Sequence, residues 1–375
     1  MIYLDYSANT PVDARVLEQF CAVERRCIGN ANSHHQAGSA AKAEIDAATI
    51  KIASLLGVQP AEIIYTSGAS EANNFALKGL ARLSRHAGRH IISTPLEHSS
   101  VSGTLTALQE QGYEIDLLDV KQDGTVDLEH LKDLLRPDTI CVAITLVDSE
   151  LGVVQPVQEI AAILKAYPHC HLHVDATQAV GKIPVSFEGV DTMSLTAHKF
   201  YGLNGIGLLI KRRNLALEPL IHGGESTTIY RSGTPTVALA SSLACALDLA
   251  VTDLPGRVDH VATLTAALHA ALNTKNRLHI QVQAPANPQV QHLSVRNVKG
   301  TVFQRELDAK GVCVSVKSAC SSDGLPSRAV FAVSRDRRNA LSSWRISLSH
   351  LTTEDEIKAF LQAFDVCYRE LTAVH

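Results

Sequence analysis

The sequence lacks both a long apolar run and an excess of charge of one sign. Its 375 residues include 34 basic and 38 acidic side chains, which gives a formal net charge of −4. A transmembrane helix needs about 18 or more consecutive apolar residues, and proteins that bind nucleic acid or anionic membranes usually carry a basic field. We therefore expect no nucleic-acid partner and no membrane association.

A secretory signal and the cysteine spacings of metal sites are also missing. The first residues, "MIYLDYSANTPVD", contain no basic region followed by an apolar run, so we expect a cytoplasmic protein. None of the eight cysteines forms a C-x-x-C pair. Reduced thiols are the rule in the cytosol, and most free cysteines are small buried hydrophobes.

Cys320 differs from the other cysteines in its surroundings. It lies in "VSVKSACSSDGLPS", a small and polar stretch that is typical of a loop. Exposed thiols near a cation are the reactive ones, because the thiolate is the nucleophile. Lys317 supplies a candidate cation, whereas Cys313, in "GVCVSV", resembles an ordinary buried cysteine.

Apolar runs with strand character alternate with segments of helical periodicity over the first two thirds of the chain. The predicted strands cover residues 62–68, 89–94, 114–120, 139–147, 171–176, 193–197 and 206–211. This alternation predicts an α/β fold with a mostly parallel seven-stranded sheet flanked by helices.

A smaller region follows the predicted sheet. A helix is predicted over residues 236–252, and "DLPGR" (253–257) is expected to interrupt it. Beyond that point the pattern predicts a helix, strands near 279–284 and 290–295, and a closing helix, which is an α+β arrangement. We place a large domain at 12–256 and a small C-terminal domain at 257–375, joined by the N-terminal segment 1–11.

Ligands of open α/β sheets bind beyond the carboxyl ends of the strands. "YTSGASEANN" follows a predicted strand and precedes a helix, so the backbone N–H groups of Ala69 and Ser70 suit a phosphate. The same residues also fit a helix capping box, with Ser67 or Ser70 as the N-cap and Glu71 near it. Both interpretations stay open on this segment alone.

"HLHVDATQAVGK" contains an H-x-H-x-D cluster formed by His171, His173 and Asp175. Alternate residues of a strand face the same way, and such a cluster can bind a metal. No further His or Asp follows to complete a hydrolase site. The alternative is that the histidines are structural and that only Asp175 reaches the site.

Lys199, in "SLTAHKFYGLNG", lies about one strand–helix unit after Asp175. A lysine and a carboxylate at adjacent strand ends suit pyridoxal phosphate, because the lysine can bind the aldehyde and the carboxylate can pair with the ring nitrogen. Thr196 and His198 flank the lysine and are candidates for the phosphate. An ordinary surface lysine is the alternative. His98, in "EHSS", could stack on a flat cofactor and transfer protons.

These segments resemble, in their order, the cysteine desulfurases of the class V aminotransferase branch of fold-type I pyridoxal-phosphate enzymes. The resemblance is carried by "YLDYSANTPVD", "GNANSHHQAG", "TSGASEANNFALKG", "EHSSV", "ELGVVQPVQEI", "HVDATQAVGK", "AHKFYGLNGIG", "RSGTPTV", "SAC" and "WRISLSHLTTEDEI". The "SAC" segment is similar to that of the group with a mobile cysteine loop, which passes sulfur to acceptor proteins.

The resemblance implies a role for each matching position. Lys199, Cys320 and His98 would be catalytic, with Cys320 as the nucleophile. Ala69, Ser70, His98, Asp175, Gln178, Thr196, His198, Lys199 and Thr234 would bind pyridoxal phosphate. Arg345, Ser149 and Asn30 would bind the substrate, L-cysteine. Thr234 matches a threonine that reaches the phosphate of the neighbouring subunit, which implies a homodimer.

The departures from the family pattern fall mainly on the substrate side. Asp148 and Ser149 stand where the family usually has two asparagines, and a serine is too short to copy the second one. Lys317 replaces the usual glycine before "S-A-C", and "LN" (203–204) replaces Pro-Lys. The expected function is removal of sulfur from L-cysteine, giving L-alanine and a persulfide on Cys320. The alternatives are a C–S lyase with the same cofactor, a non-catalytic binding homologue and, remotely, a metal-dependent hydrolase.

Overall fold

The computed structural model describes residues 1–224, 226–273, 289–317 and 325–373. Its strands are β1 (Ile2–Tyr3), β2 (Ile63–Thr66), β3 (His90–Ser93), β4 (Glu114–Leu117), β5 (Thr139–Thr145), β6 (His171–Asp175), β7 (Thr192–Thr196), β8 (Gly207–Lys211), β9 (Val290–Ser294), β10 (Val312–Cys313) and β11 (Ser343–Ser347). Its helices are α1 (Ala14–Arg26), α2 (Gln36–Leu56), α3 (Ala69–Leu83), α4 (Ser99–Gln109), α5 (Leu128–Leu134), α6 (Val157–Leu164), α7 (Val237–Thr252), α8 (Leu254–Asn273), α9 (Gly300–Ala309), α10 (Arg328–Ser334), α11 (Arg337–Ser342) and α12 (Glu354–Thr372).

The central sheet has seven strands in the order β2-β8-β7-β6-β5-β3-β4. Strand β8 runs antiparallel to both of its neighbours, and the other pairs are parallel. All seven predicted strands are present, so the prediction of a mostly parallel seven-stranded sheet is confirmed. Strand β5 is buried along its whole length, as expected for a strand covered by helices on both faces.

Helix α7, rich in alanine and leucine, lies against α1 and α2. Small side chains allow such close helix packing, and most of α7 is buried in the main core. The predicted interruption at "DLPGR" is confirmed but is short: α7 ends at Thr252, and only Asp253 separates it from α8, which begins at Leu254. The chain bends by 63° there. Proline is tolerated in the first turn of a helix, where its missing N–H has no intrahelical partner.

The C-terminal region has its own apolar cluster, which contains Trp344, Phe303, Phe360 and Phe364. Strand β11 pairs antiparallel with β9, and the N-terminal strand β1 pairs parallel with β10. The first residues of the chain are thus built into this region, and we propose the domain division near residue 256 on that basis. The strand predicted at 279–284 lies outside the described residues.

No single helix among the described residues is long and apolar enough to cross a membrane; only α7 and α8 taken together reach that length and composition, across their bend.

Candidate active site

A cavity of about 320 Å³ opens at the carboxyl ends of β2, β5, β6 and β7. Its lining contains most of the predicted site residues. They are Ala69, Ser70, His98, Ser149, Asp175, Gln178, Thr196, His198, Lys199 and Arg345. The position agrees with the general rule for ligand sites in open α/β sheets.

Lys199 lies in the short 3-10 turn Ala197–Lys199 that follows β7. Its Nζ donates to the carbonyl oxygens of Ser7 and Ala8, at 2.7 and 2.6 Å. Tyr201, which follows the turn, helps to fix it: its backbone is left-handed (φ 69°), and its N–H donates to Thr10 Oγ1. Lys199 is therefore an oriented lysine in a cavity, and not an ordinary surface lysine.

Asp175 ends β6 and is 3% exposed. Its Oδ2 accepts from Asn73 Nδ2 at 2.8 Å, and its Oδ1 accepts from the Thr177 N–H at 2.9 Å. Two donors hold the carboxylate without neutralising it, which leaves it suited to pairing with a protonated ring nitrogen. Asn73, on α3, was not predicted from the sequence, because the two asparagines of "SEANN" differ only in which face of the helix they take.

The two histidines beside Asp175 are structural. His173 is fully buried and contacts Thr192 Oγ1 and Asn73 Oδ1 through its two ring nitrogens. Burial lowers its pKa to about 4. His171 lies near Asp191 at the other end of the strand. No group of three or more potential metal ligands occurs among the described residues.

The N-terminus of α3 forms one end of the cavity. Its N-cap is Gly68, at φ 153°, and no side chain caps the helix there. The predicted capping box is therefore wrong: Glu71 accepts from the Ser67 N–H at 2.7 Å and pairs with Arg231. The first turn of α3, which contains Ala69 and Ser70, keeps its N–H groups for an anion.

Thr196 and His198 complete this end of the cavity. Thr196 Oγ1 lies 3.1 Å from His198 Nδ1. Burial, followed by the nearby charges of Lys199 and Lys182, lowers the pKa of His198 to about 4. The imidazole is thus neutral at pH 7 and serves as a hydrogen-bonding group.

His98 is the N-cap of α4 and accepts from the Ser100 N–H at its Nδ1, at 3.1 Å. This bond places the proton of the neutral imidazole on Nε2. Burial lowers the pKa of His98, so the ring is uncharged at neutral pH. A neutral, oriented imidazole in the wall of the cavity is suited to contact a flat aromatic ring.

Arg345 is buried in β11, and the guanidinium lines the cavity. Its Nη2 donates to Asp5 Oδ1 and its Nη1 to the Ser149 carbonyl, both at 2.7 Å. Its Nε has no hydrogen-bond partner within the described part of the chain. The side chain is therefore fixed in place by the N-terminal segment, with part of its donor set unused.

Two buried carboxyl groups, Asp148 and Glu97, lie near Ser149. Burial, followed by the charge of Glu150, raises the pKa of Asp148 to about 7. Burial raises the pKa of Glu97 to about 8. One oxygen of each group has no partner among the residues described. The family's usual asparagine would place an uncharged amide where Asp148 lies.

Two predicted site residues, Asn30 and Thr234, do not line this cavity. Asn30 is exposed and accepts from the Asn32 N–H in its own turn. Thr234 is exposed and lines a separate cavity with Tyr65 and Arg231. Cys320 lies outside the described residues; Lys317 and Leu325 flank its segment and line a further cavity that shares His98 and Ser149 with the first.

The residues present fit pyridoxal phosphate. The uncapped helix start suits the phosphate, Asp175 suits the ring nitrogen and Lys199 suits the aldehyde. Gly68 is needed there for its backbone conformation (φ 153°), since a Cβ would meet Thr196 Oγ1 only at an ordinary contact distance of 3.5 Å.

Comparisons with known proteins agree with this arrangement. The family described as "Aminotransferase class-V" matches residues 2–360. A cysteine desulfurase IscS of Pectobacterium carotovorum subsp. carotovorum is 38% identical over 95% of this chain and 90% of its own. A solved structure titled "NIFS-LIKE PROTEIN" is 35% identical, covers 100% of both chains and has a TM-score of 0.92.

A second solved structure, titled "SspA in complex with cysteine", is 29% identical, covers 94% of this chain and 100% of its own, and has a TM-score of 0.82. The chain therefore belongs to the aminotransferase class-V family of pyridoxal-phosphate enzymes, and within it to the cysteine desulfurases.

Proposed function

We propose that this protein removes sulfur from L-cysteine with pyridoxal phosphate as cofactor, releases L-alanine and carries the sulfur as a persulfide on Cys320. The observation that carries the proposal is one cavity that holds Lys199, Asp175 and the buried Arg345 together. The first two suit the cofactor, and the third suits the carboxylate of an amino acid.

The cofactor, when bound, supplies an electron sink for bond cleavage at the amino acid. The start of α3, with Thr196 and His198, would hold its phosphate. Asp175 would hold the ring nitrogen in its protonated form, and His98 would cover one face of the ring.

The chain's own groups supply the remaining steps. Arg345 orients the substrate through its carboxylate. Lys199 would remove the proton from Cα as a general base, since its amine lines the same cavity as Arg345. The Cys320 thiolate then attacks the substrate sulfur: an S–S bond forms, the C–S bond breaks, and the released carbon is protonated to give alanine. Cysteine and one enzyme thiol thus yield alanine and one enzyme persulfide.

Product analysis tests this function. The purified protein and its Cys320→Ala variant are incubated with L-cysteine and a reductant, and alanine, pyruvate and sulfide are quantified. Equal amounts of alanine and sulfide, lost in the variant, are the expected result. Cys313→Ala is the matched control, since Cys313 lies seven residues before Cys320 and its loss should leave the products unchanged.

A C–S lyase is the second candidate, and the serine at position 149 favours it. Ser149 lines the cavity where the family usually has an asparagine, so the hold on the substrate differs. A lyase would convert cysteine and water to pyruvate, ammonia and sulfide without a thiol of the enzyme. Pyruvate formed equally by the protein and its Cys320→Ala variant would establish this function instead.

A homodimer that shares its sites is also part of the proposal. Thr234 is exposed and separate from the cavity of its own chain, which is where a residue that serves a neighbouring subunit would lie. Mixing a Lys199→Ala chain with a Thr234→Ala chain should give heterodimers with one site that has lost both residues and one site that keeps both. Restored turnover is expected, and two inactive parents that stay inactive when mixed would contradict shared sites. The sulfur acceptor would be a second protein.

A further inference from the structure

Lys182 is a buried lysine near the cavity that the steps above do not use. Its side chain is 4% exposed, and its Nζ donates to Gln178 Oε1, one helical turn earlier in the chain. Burial, followed by the charges of Lys199 and Arg345, lowers the pKa of Lys182 well below its usual value. A buried amino group costs free energy, so an apolar side chain would be the better choice if packing alone were required.

The other end of the Gln178 amide is fixed as well. Gln178 Nε2 donates to the Ser7 carbonyl at 2.9 Å, and the same oxygen accepts from Lys199 Nζ at 2.7 Å. A backbone carbonyl can only accept, so the amide must turn its NH₂ group toward Ser7. Its oxygen must then face Lys182, which has N–H groups to donate whether it is charged or neutral.

The second buried lysine, Lys211, shows the contrast. Its Nζ donates to the backbone carbonyls of Arg212 and Leu215, at 3.1 and 2.7 Å, and lies over the Tyr230 ring. Those partners belong to the end of β8 and the following loop, and none of them lines the cavity. Lys211 stabilises the fold, whereas Lys182 holds a side chain of the site.

We propose that Lys182 is a positioning residue that fixes the Gln178 amide so that its donor end, and not its oxygen, faces Ser7 and the cavity. Without Lys182 the amide oxygen loses that donor, and the orientation of the amide is less strongly fixed. With it, an N–H of Gln178 would be available to the ring hydroxyl of the bound cofactor, in keeping with the cofactor-binding role that the resemblance implies for Gln178. This inference rests on the cofactor of the proposed function, but not on the reaction that the cofactor performs.

The test is a pH titration of the visible absorbance of the cofactor-loaded protein. Lys182→Met keeps the approximate volume and removes the donor. An anionic oxygen that loses a hydrogen bond holds its proton more tightly, so the midpoint should move upward by roughly half to one pH unit. Lys211→Met is the control: it should lower thermal stability and leave the midpoint where it is.

A double-variant cycle separates positioning from a direct charge effect. If Lys182 acts through Gln178, then Lys182→Met should add no further shift to a Gln178→Leu protein. Additive shifts, or an unmoved midpoint in Lys182→Met, would overturn the inference. If Lys182→Met does not fold, Lys182→Leu is titrated in its place, since it also removes the donor. Its midpoint must rise, and an unchanged midpoint overturns the inference.

The same titration distinguishes a failure of this inference from a failure of the proposed function. A wild-type protein that binds no cofactor shows no visible band and contradicts the proposed function. A wild-type protein with the band, together with an unshifted Lys182→Met protein, contradicts only the role of Lys182.

Discussion

The two sides of the cavity differ in how they are built. On the cofactor side, defined by Asp175, Thr196, His198, Lys199 and the start of α3, the residues follow neighbouring strands of one sheet. On the substrate side, defined by Arg345, Asp148 and Ser149, the residues come from segments almost 200 residues apart, joined by the contact between Arg345 and the Ser149 carbonyl.

The two sides also differ in how they match the family. Motif residues of the cofactor side are intact, while the substrate side carries Asp148, Ser149 and Lys317 in place of the usual residues. The cofactor side is built on strand ends of one sheet, and the carbonyls of Ser7 and Ala8 hold Lys199 there. The substrate side depends on long-range contacts, so substitutions there can change what is bound without disturbing the fold. The predictions below test this difference.

The largest effect is expected at the cofactor side from Lys199→Ala. Loss of the amine removes both the covalent attachment and the base, so turnover should fall by at least about 10³-fold. The absorbance band of the bound cofactor should disappear or shift in the same sample. An unchanged spectrum would contradict the role of Lys199.

Asp175→Asn is expected to lower kcat by about 10²-fold, because an amide cannot stabilise a protonated ring nitrogen as a carboxylate does. The amide oxygen can still accept from one of the two donors, Asn73 Nδ2 or the Thr177 N–H, and only the other donor loses its acceptor, so the fold should survive. Asp116→Asn, at an exposed carboxylate of β4, is the control that should keep full activity. Equal activity in both variants would contradict a role for Asp175 in stabilising the protonated ring nitrogen.

On the substrate side, Arg345→Lys should raise KM for cysteine by about tenfold or more, with a smaller change in kcat. A lysine keeps the charge but loses the fork that binds a carboxylate through two parallel bonds. Steady-state kinetics measure the two constants separately. A fall in kcat at constant KM would place Arg345 outside substrate binding.

Stability should fall as the pH is lowered, and His292, which pairs with Arg345 across β9 and β11, offers a test. Burial lowers the pKa of His292 to about 4, below the value of about 6.5 for an unfolded chain. The folded state therefore binds fewer protons, and the stability is lost as the pH drops from about 6.5 toward 4. Between pH 7 and pH 5, the melting temperature of His292→Gln should fall by about 2–4 °C less than that of the wild type. The exposed His34→Gln should leave the slope unchanged, and a His292→Gln slope equal to wild type would contradict a neutral buried ring.

Ser149→Asn is expected to give the smallest effect. It restores the family's usual side chain at a position that lines the cavity, so KM for cysteine should fall, by about threefold or less, while the cofactor spectrum stays the same. A spectral change would show that Ser149 belongs to the cofactor side, and the distinction between the two sides would be lost.

The sequence predicts the cofactor side better than the substrate side for a physical reason. Strand periodicity and the polar residues at strand ends place Asp175 and Lys199 at one edge of the sheet. The partners of Lys199 are backbone carbonyls of Ser7 and Ala8, which leave no mark in the sequence. The links from Asn73 to Asp175 and from Arg345 to Asp5 span 102 and 340 residues, and no local pattern encodes them.

The local sequence also gave one wrong interpretation, the capping box at the start of α3. Ser67, Ser70 and Glu71 have the composition of a capping box, but Gly68 takes the N-cap position and Glu71 pairs with Arg231, 160 residues away. Glu71 holds the Ser67 N–H and Arg231 at the same time, and because Gly68 has no side chain to cap the helix, the first N–H groups of α3 remain for an anion. Asn30 and Thr234 stay predictions, because a single chain does not bring them to its own cavity.

The most direct test of sulfur transfer to Cys320 is the mass of the peptide that contains Cys320 after a single turnover with L-cysteine and no reductant. We expect one added sulfur atom on that peptide, an equal amount of alanine, and no added sulfur on the peptide that contains Cys313. Alanine or pyruvate released while the Cys320 peptide keeps its original mass would contradict sulfur transfer to Cys320.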